Sequence, residues 1–209
     1  MKSNKKKVAV VSLVVCLVAI LSLGSLAWFT ANDSIGNSLK FDTSFDVDVY
    51  ETNGQGGIIR DPSDPTKTIG QLYDNLKPGA EIYKDPTVVN KSSNYNQWIR
   101  MSVTVTKYNE WKSVVEERTD LSTIFTGHDA TAWERGNISV SEADNTVTYT
   151  YYLKSILAPT ATATLFTGVK IPESLTLEQA KAIGESKITI KAEAMQEEAG
   201  SSAKEAFEN

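Results

Sequence analysis

The sequence predicts an all-β fold, an antiparallel β-sandwich with a few short helices. Apolar and polar residues alternate with period two over four separate stretches, and turn-forming Gly, Pro, Asn and Asp residues lie between them. Segments with helical periodicity are few and short. With 209 residues, 41% of them hydrophobic, the chain has the size and apolar content of one domain with a substantial core.

The first 27 residues predict a signal peptide, so the domain boundaries begin at 28. Residues 1–7 carry four lysines and residues 8–23 are apolar and uncharged. Ser25 and Ala27 place small side chains at positions −3 and −1 before Trp28, as signal peptidases require. The alternative is an uncleaved anchor, because residues 8–27 are long enough to span a bilayer. Both interpretations predict that the rest of the chain is exported.

The charge and cysteine content of the exported part exclude two classes of protein. Removing the four leader lysines from the 21 basic residues leaves 17 against 26 acidic residues, a net charge of −9. This acidic excess argues against nucleic acid as a partner, because phosphate binding needs clustered lysine and arginine. Cys16 is the only cysteine and lies in the leader, so the mature domain is not a disulfide scaffold.

The strands follow from the alternation. Phe45, Val47 and Val49 alternate with aspartates, and the same pattern recurs in three further stretches, at residues 99–105, 147–153 and 188–194. Weaker strand patterns lie near residues 81–90, 137–141 and 161–171. The total of seven or eight strands is typical of a β-sandwich.

Helices and turns connect these strands. A helix is predicted over 109–118, and a capping box at Thr176 predicts a second helix that ends at Gly184. A further capping box is possible at Ser202. Lys-Pro-Gly at 77–79 suits a type II turn, and the Gly- and Pro-rich residues 53–68 predict a loop.

The residues that could carry catalysis are few. His128 is the only histidine, and the chain lacks both the H-E-x-x-H and the G-x-S-x-G patterns. Asp61 and Asp64 could bind calcium, but a plain turn is favoured because EF-hand spacing is missing. The three tryptophans of the domain are interpreted as core or rim residues rather than a sugar-binding platform, at positions 98, 111 and 133. No catalytic residue, metal site or cofactor is therefore predicted.

Residues 28–39 predict an N-terminal arm ahead of the sandwich domain, residues 40–209. The arm opens with Trp28 and Phe29, then becomes polar, with Ile35 and Leu39 spaced along it. A free arm of this kind can add a strand to the open sheet edge of a second subunit. If each subunit donates its arm to the next, the contact is head-to-tail and a filament grows. The alternative is an arm that folds back on its own domain or stays unstructured.

Several segments, taken in order, resemble the TasA/camelysin family of secreted proteins. Residues 24–33, Gly-Ser-Leu-Ala-Trp-Phe-Thr-Ala-Asn-Asp, resemble the export signals that the specialised SipW type of signal peptidase cleaves. Further similarity lies in Asn-Leu-Lys-Pro-Gly at 75–79, in residues 151–159 and in Ile-Lys-Ala-Glu-Ala-Met-Gln at 190–196. Each motif is weak alone, and the ordered set is more specific.

The resemblance implies a jelly-roll-like β-sandwich secreted by a Gram-positive bacterium into its biofilm matrix or onto its surface. It implies fibres in which the arm of one subunit completes a sheet of the next by donor-strand exchange. The partners would be other copies of the chain, the SipW-type peptidase during export and other matrix proteins. On this interpretation Trp28, Phe29, Ile35 and Leu39 belong to the donor arm, and the chain is not an enzyme.

Two alternatives from other classes remain open. Some relatives, camelysin among them, are described as metalloproteases, but one histidine and no cysteine would leave zinc a mostly carboxylate site. The other alternative is a monomeric cell-surface binding protein or adhesin, which predicts no polymerisation and an arm folded onto its own domain.

Overall fold

The computed structural model describes residues 30–34, 37–38, 45–115 and 120–208, with backbone only before residue 45. Of these residues 41% are in strands and 15% in helices, and all sheets are antiparallel. The predicted jelly-roll-like sandwich is thus confirmed as an all-β antiparallel sandwich with a few short helices. Within the described ranges, no helix combines the length and apolar character needed to cross a membrane.

The bounds of the elements are as follows. The strands are β1 (Thr30–Ser34), β2 (Asn37–Ser38), β3 (Val47–Tyr50), β4 (Arg60–Asp61), β5 (Asp64–Thr68), β6 (Glu81–Tyr83), β7 (Thr87–Asn90), β8 (Gln97–Thr106), β9 (Phe125–Thr126), β10 (Trp133–Ser141), β11 (Thr146–Leu153), β12 (Thr162–Thr164), β13 (Gly168–Lys170) and β14 (Ile188–Gln196). The helices are α1 (Tyr108–Trp111), α2 (Leu177–Ile183) and α3 (Ala203–Glu208), with 3-10 turns at Leu121–Ile124 and Glu197–Ala199.

One large sheet organises the domain. Its six strands run in the order β10-β11-β8-β14-β1-β2. Two three-stranded sheets, β12-β7-β3 and β6-β13-β9, contribute to the same core, and β4 and β5 form a separate hairpin. The chain neighbours β10 and β11 pair directly, whereas β8 and β14 pair although several other strands lie between them in the sequence.

Period-two alternation explains why the long strands lie at the centre. In β8 the core-facing residues are at most 1% exposed, namely Ile99, Met101, Val103 and Val105. Residues between them, such as Ser102 and Thr104, face the other side and are partly exposed. Val47 and Val49 of β3 and Val88 of β7 belong to the same core and are at most 3% exposed. The four strands with clear alternation are confirmed, at 45–49, 99–105, 147–153 and 188–194.

The weaker predictions are corrected in detail. The stretch 81–90 holds two strands, β6 and β7, interrupted by Pro86, which has no N–H to donate. The stretch 161–171 also divides, into β12 and β13. The predicted helix over 109–118 is wrong in extent, since α1 ends at Trp111 and turns then bury Val114 and Val115. Lys107 precedes α1 in the left-handed region, at φ 64°, and provides no side-chain cap.

The turn predictions have mixed outcomes. Thr176 and Gln179 form both bonds of the capping box, and α2 ends at Gly184. The 77–79 turn is confirmed by a φ of 77° at Gly79 and by Ala80 N–H donating to the Lys77 carbonyl at 3.0 Å. The predicted loop at 53–68 instead contains the β4-β5 hairpin.

Candidate functional site

The predicted arm has a defined backbone partner where the structure describes it. β1 pairs antiparallel with β14 of the same chain, with Thr30 opposite Met195 and Ser34 opposite Lys191. We call the backbone edge of β14 from Lys191 to Met195 the arm edge. The described part of the arm therefore covers an edge of its own sheet, and β2 adds a short strand outside it.

The arm edge belongs to a well-supported strand. On its other side β14 pairs with β8 in nine consecutive register pairs, from Ile188 opposite Val105 to Gln196 opposite Gln97. Toward the core β14 presents Ile190, Ala192 and Ala194, which are at most 2% exposed. A strand that is already hydrogen-bonded along its inner side in unbroken register can receive a further strand on its outer side without rearranging.

Charged side chains fix the outer face of the arm edge. Glu193 Oε2 accepts a hydrogen bond from Arg100 Nε at 2.9 Å and lies 2.8 Å from Arg100 Nη2, while Lys191 Nζ lies 2.9 Å from Glu193 Oε1. Glu193 is only 8% exposed, so its charge depends on these two cations. Arg100 of β8 is thus linked to Glu193 and Lys191 of β14, the strand that pairs with β1.

The C-terminal helix covers the same face. Phe207 of α3 packs under the Arg100 guanidinium, with 4.5 Å between the guanidinium carbon and the ring centroid. Trp98 is buried beside α3 and donates its indole N–H to the carbonyls of Glu197 and Gly200. Ser202 accepts from Glu205 N–H at 3.2 Å, but the Glu205 carboxylate bonds Ser201, so only half of the predicted capping box forms.

The residues predicted to act in export and exchange precede residue 45. The cleavage-site residues Ser25, Ala27 and Trp28 and the arm residues Phe29, Ile35 and Leu39 lie outside the described residues. Their roles remain predictions, and the structure contributes the backbone register of residues 30–34.

The opposite edge of the sheet is irregular. β10 pairs with β11, but the register shifts between Arg135 and Ile138, which is a β-bulge. Beyond the bulge Ile138 and Val140 are 44% and 41% exposed. A Cβ at Gly136 would lie 2.5 Å from Cε2 of Tyr152, so the bulge needs glycine at that position.

His128 lies in an exposed loop, as predicted. Its Nδ1 is 3.0 Å from the Leu165 carbonyl oxygen and its ring centroid is 5.2 Å from that of Tyr151. The neighbouring Asp129 accepts bonds from the Thr131 hydroxyl and from the N–H groups of Thr131 and Ala132, which lower the pKa of the Asp129 carboxyl. That carboxylate is thus part of a turn and does not orient the imidazole for catalysis.

The Asp61 and Asp64 side chains are used by the β4-β5 hairpin. Asp61 Oδ1 accepts from Ser63 N–H at 2.8 Å, and Asp64 Oδ1 accepts from Thr66 N–H at 3.1 Å. These bonds, with those of the adjacent hydroxyls, lower the pKa of both carboxyls. The favoured turn interpretation accounts for these contacts. The described ranges contain no cluster of three or more side chains suited to hold a metal ion.

The predicted core or rim role of the tryptophans is confirmed. Trp98, Trp111 and Trp133 are at most 7% exposed. Each indole N–H is bonded, those of Trp111 and Trp133 to Ser186 Oγ and the Thr164 carbonyl at 3.0 and 2.9 Å. No ring face among them is open for stacking on a sugar.

A buried charged cluster was missed by the sequence analysis. Glu51, Lys84 and Asp85 are 6%, 5% and 6% exposed, and Lys84 Nζ contacts Glu51 Oε1. Asp85 accepts from Thr52 N–H and Oγ1, both at 2.7 Å, and from the Tyr83 hydroxyl at 3.0 Å. The signal was available, because the inward positions of β3 continue from Val49 to Glu51 at the same spacing.

Burial and charge also act on a tyrosine beside this cluster. Burial, with the charges of Glu51 and Asp85, raises the pKa of Tyr73 to about 12. Tyr73 therefore stays neutral at physiological pH and does not add a third negative charge to the cluster.

Comparisons with protein-family models, with characterised proteins and with solved structures found no match to this chain. The similarity to the TasA/camelysin family therefore stands on the sequence motifs at 24–33, 75–79, 151–159 and 190–196.

Proposed function

We propose that the chain is a secreted structural protein that forms extracellular fibres of the biofilm matrix by donor-strand exchange. The observation that carries this proposal is the pairing of Thr30–Ser34 with the arm edge. The N-terminal segment has the register of a strand, and it occupies an edge that a second copy would present in the same way. The proposed localisation is the matrix or surface of a Gram-positive bacterium, after cleavage by a SipW-type peptidase.

Exchange needs a connection long enough to let the arm leave its own domain. Residues 39–44 join β2 to the domain, and six extended residues span about 20 Å. The arm of one subunit can then pair with the arm edge of the next in the register observed within one chain. The contacts made within and between chains are alike, so assembly should rise with protein concentration, as in domain swapping.

The arm edge is the better acceptor of the two sheet edges. Its strand is paired on the inner side in unbroken register, whereas β10 carries a bulge where a new strand would have to pair. One acceptor edge and one donor strand per subunit give a head-to-tail polymer with two different ends.

The first test compares residues 28–209 with a variant that starts at Lys40. Both are concentrated and imaged by negative-stain electron microscopy. The proposal expects fibres from the first protein and none from the second, which keeps the arm edge but lacks a donor. Monomers from both proteins across pH and salt would contradict it.

A disulfide lock gives a sharper test, because the mature chain has no other cysteine. Ala31 and Ala194 are register partners, so Ala31→Cys with Ala194→Cys should hold the arm on its own domain when oxidised. Fibres should be absent when the pair is oxidised and should appear after reduction. The control is Thr104→Cys with Thr189→Cys, a register pair of β8 and β14 that stays together in either state.

The monomeric binder is the second candidate, and one observation favours it. The described part of the arm pairs with its own sheet, so the single chain already fills its arm edge. A reduced Ala31→Cys, Ala194→Cys variant that remains monomeric would favour the binder. The absence of enzymatic activity stays a prediction, and casein cleavage that a chelator abolishes would contradict it.

A further inference from the structure

The Lys84 and Glu51 pair is unusual for its burial and its place in the fold. Glu51 directly follows β3, and Lys84 lies between β6 and β7, 33 positions further along the chain. Both side chains are less than a tenth exposed, and Lys84 Nζ contacts Glu51 Oε1 directly. The segments that carry them are neighbours in one sheet, since Tyr50 of β3 is the register partner of Thr87 of β7.

The surroundings of this pair leave one of its carboxylate oxygens without a hydrogen-bond donor. Among the described residues, Glu51 Oε2 is buried and has no hydrogen-bond partner. Asp85 adds a second carboxylate, and its known bonds go to Thr52 and Tyr83 rather than to Lys84. A buried carboxylate oxygen without a donor is costly, and so is a buried ion pair compared with a neutral group of similar shape.

We propose that Lys84 and Glu51 become joined by an intramolecular amide bond between Lys84 Nζ and Glu51 Cδ. A proton first passes from the ammonium to the carboxylate, which leaves a neutral amine and a carboxylic acid. Nζ then attacks Cδ, the Cδ–N bond forms, and the protonated carboxyl oxygen leaves as water with a proton from nitrogen. No oxidant, reductant or further reactant is needed, and both buried charges disappear.

The fold supplies the conditions that this condensation needs. Packing holds amine and carboxyl in contact, which replaces a bimolecular encounter by an effective concentration of about 10⁵ M or more for well-oriented groups. Exclusion of water disfavours the reverse hydrolysis. Glu51 also lines a small cleft with Tyr50 and Thr68.

The chain offers matched pairs for comparison. Lys91 Nζ lies 2.7 Å from Asp48 Oδ2, but the Lys91 side chain is 48% exposed. Lys191 Nζ lies 2.9 Å from Glu193 Oε1, and the Lys191 side chain is 41% exposed. These pairs are close but hydrated, so they should remain ionic.

The bond would act as a covalent cross-link within the mature chain. Cys16 is the only cysteine, so disulfides are not available outside the leader. An amide from residue 51 to residue 84 would close the connection between β3 and β7 as a disulfide does, by restricting the unfolded chain. This inference does not depend on fibre formation.

The test is the mass of the purified full-length secreted protein, measured after its N-terminus has been determined. We expect an intact mass lower than the sequence mass by one water. Protease digestion and tandem mass spectrometry should then find a branched peptide that joins the segments of Lys84 and Glu51. A full sequence mass, with linear peptides covering both residues, would overturn the proposal.

Two variants locate the missing water. Lys84→Arg keeps a cation beside Glu51 but should restore the full mass, whereas the control Lys91→Arg should still lack one water. A Lys84→Arg protein that still lacks one water would place the loss elsewhere and overturn the proposal. If Lys84→Arg does not yield folded protein, the peptide map of the unaltered chain decides alone.

Discussion

Apart from the arm strands β1 and β2, the large sheet ends at β14 on one side and at β10 on the other, and these two strands are built in opposite ways. At the arm edge, β14 pairs with β8 in unbroken register and turns small alanines, Ala192 and Ala194, toward the core. At the other edge, β10 loses register after Arg135 and leaves Ile138 and Val140 more than 40% exposed. The sheet without its arm strands thus has one regular edge, β14, and one bulged edge, β10.

This difference shows how a sheet can admit a strand on one side only. A regular edge presents evenly spaced N–H and C=O groups, whereas a bulge interrupts that spacing and twists the strand away. Exposed apolar residues on β10 would invite pairing if the strand were flat, and the bulge opposes it. The asymmetry gives any polymer of this chain a direction.

Proline substitutions should reveal the difference between the two edges with the largest effect. Asn32→Pro removes an N–H within β1, so we expect arm pairing and fibres to be lost. Asn137→Pro lies within the β10 bulge, where regular pairing is already absent, and should leave fibres intact. Electron microscopy and sedimentation measure both. If only the Asn137→Pro protein lost its fibres, assembly would use the β10 edge and not the arm edge.

Trp133→Ala should cause the largest loss of folding stability at the bulged edge. Trp133 begins β10, is 1% exposed, and its indole donates to the Thr164 carbonyl. Its removal should lower the free energy of unfolding by about 3 to 5 kcal/mol, as urea denaturation would measure. Val140→Ala, on the same strand but 41% exposed, should cost less than about 1 kcal/mol. Equal losses in the two variants would contradict this anchoring role.

Arg100→Met tests the support behind the arm edge. The substitution removes two bonds to the Glu193 carboxylate and leaves that buried charge with Lys191 alone. We expect the free energy of unfolding to fall by about 2 kcal/mol. Lys67→Met removes an exposed pair with Asp64 and should change it by less than about 0.5 kcal/mol. An Arg100→Met protein as stable as the unaltered chain would show that Glu193 needs only Lys191.

The smallest effect is a pH dependence at the bulged edge. Burial raises the pKa of Asp120, but bonds from Arg135 and Ser122 outweigh it and hold that pKa below its usual value. The stabilisation is therefore fully present above the unfolded pKa of about 3.9 and is lost as pH falls through the folded pKa. Urea denaturation across that range should show a stability difference from Asp120→Asn that shrinks on acidification. A stability difference that grows on acidification would contradict a lowered pKa of Asp120 in the folded protein.

Sequence patterns predicted those strands and caps that depend only on residues within the same segment. Clear alternation gave β8, β11 and β14, because each has one face toward the core and one toward solvent. Hydrogen-bonding side chains gave the α2 cap at Thr176 in the same local way. The helix predicted over 109–118 was shorter than its pattern suggested. It is preceded by Lys107, which gives it no side-chain cap, and it ends at Trp111.

The arrangement of the candidate site could not be predicted in the same way. The β1 residues Thr-Ala-Asn-Asp-Ser show no apolar alternation, so nothing local says which edge they join. That choice depends on β14 being an edge at all, which follows from the order of distant strands. The Glu51–Lys84 cluster was missed for a different reason, since the apolar alternation was followed only to Val49 although Glu51 continues the inward positions of β3.

If the proposed exchange operates, donor and acceptor occupy separate parts of this chain, residues 30–34 and 191–195. In the language of polymer chemistry, the protein would then be a monomer with two unlike reactive groups, one of which can be deleted without touching the other. Under the proposed exchange, a subunit that begins at Lys40 is a chain stopper: it accepts an arm and passes none on. The ratio of this shortened form to the complete one would then set fibre length, so proteolysis at the arm would regulate the matrix by capping it.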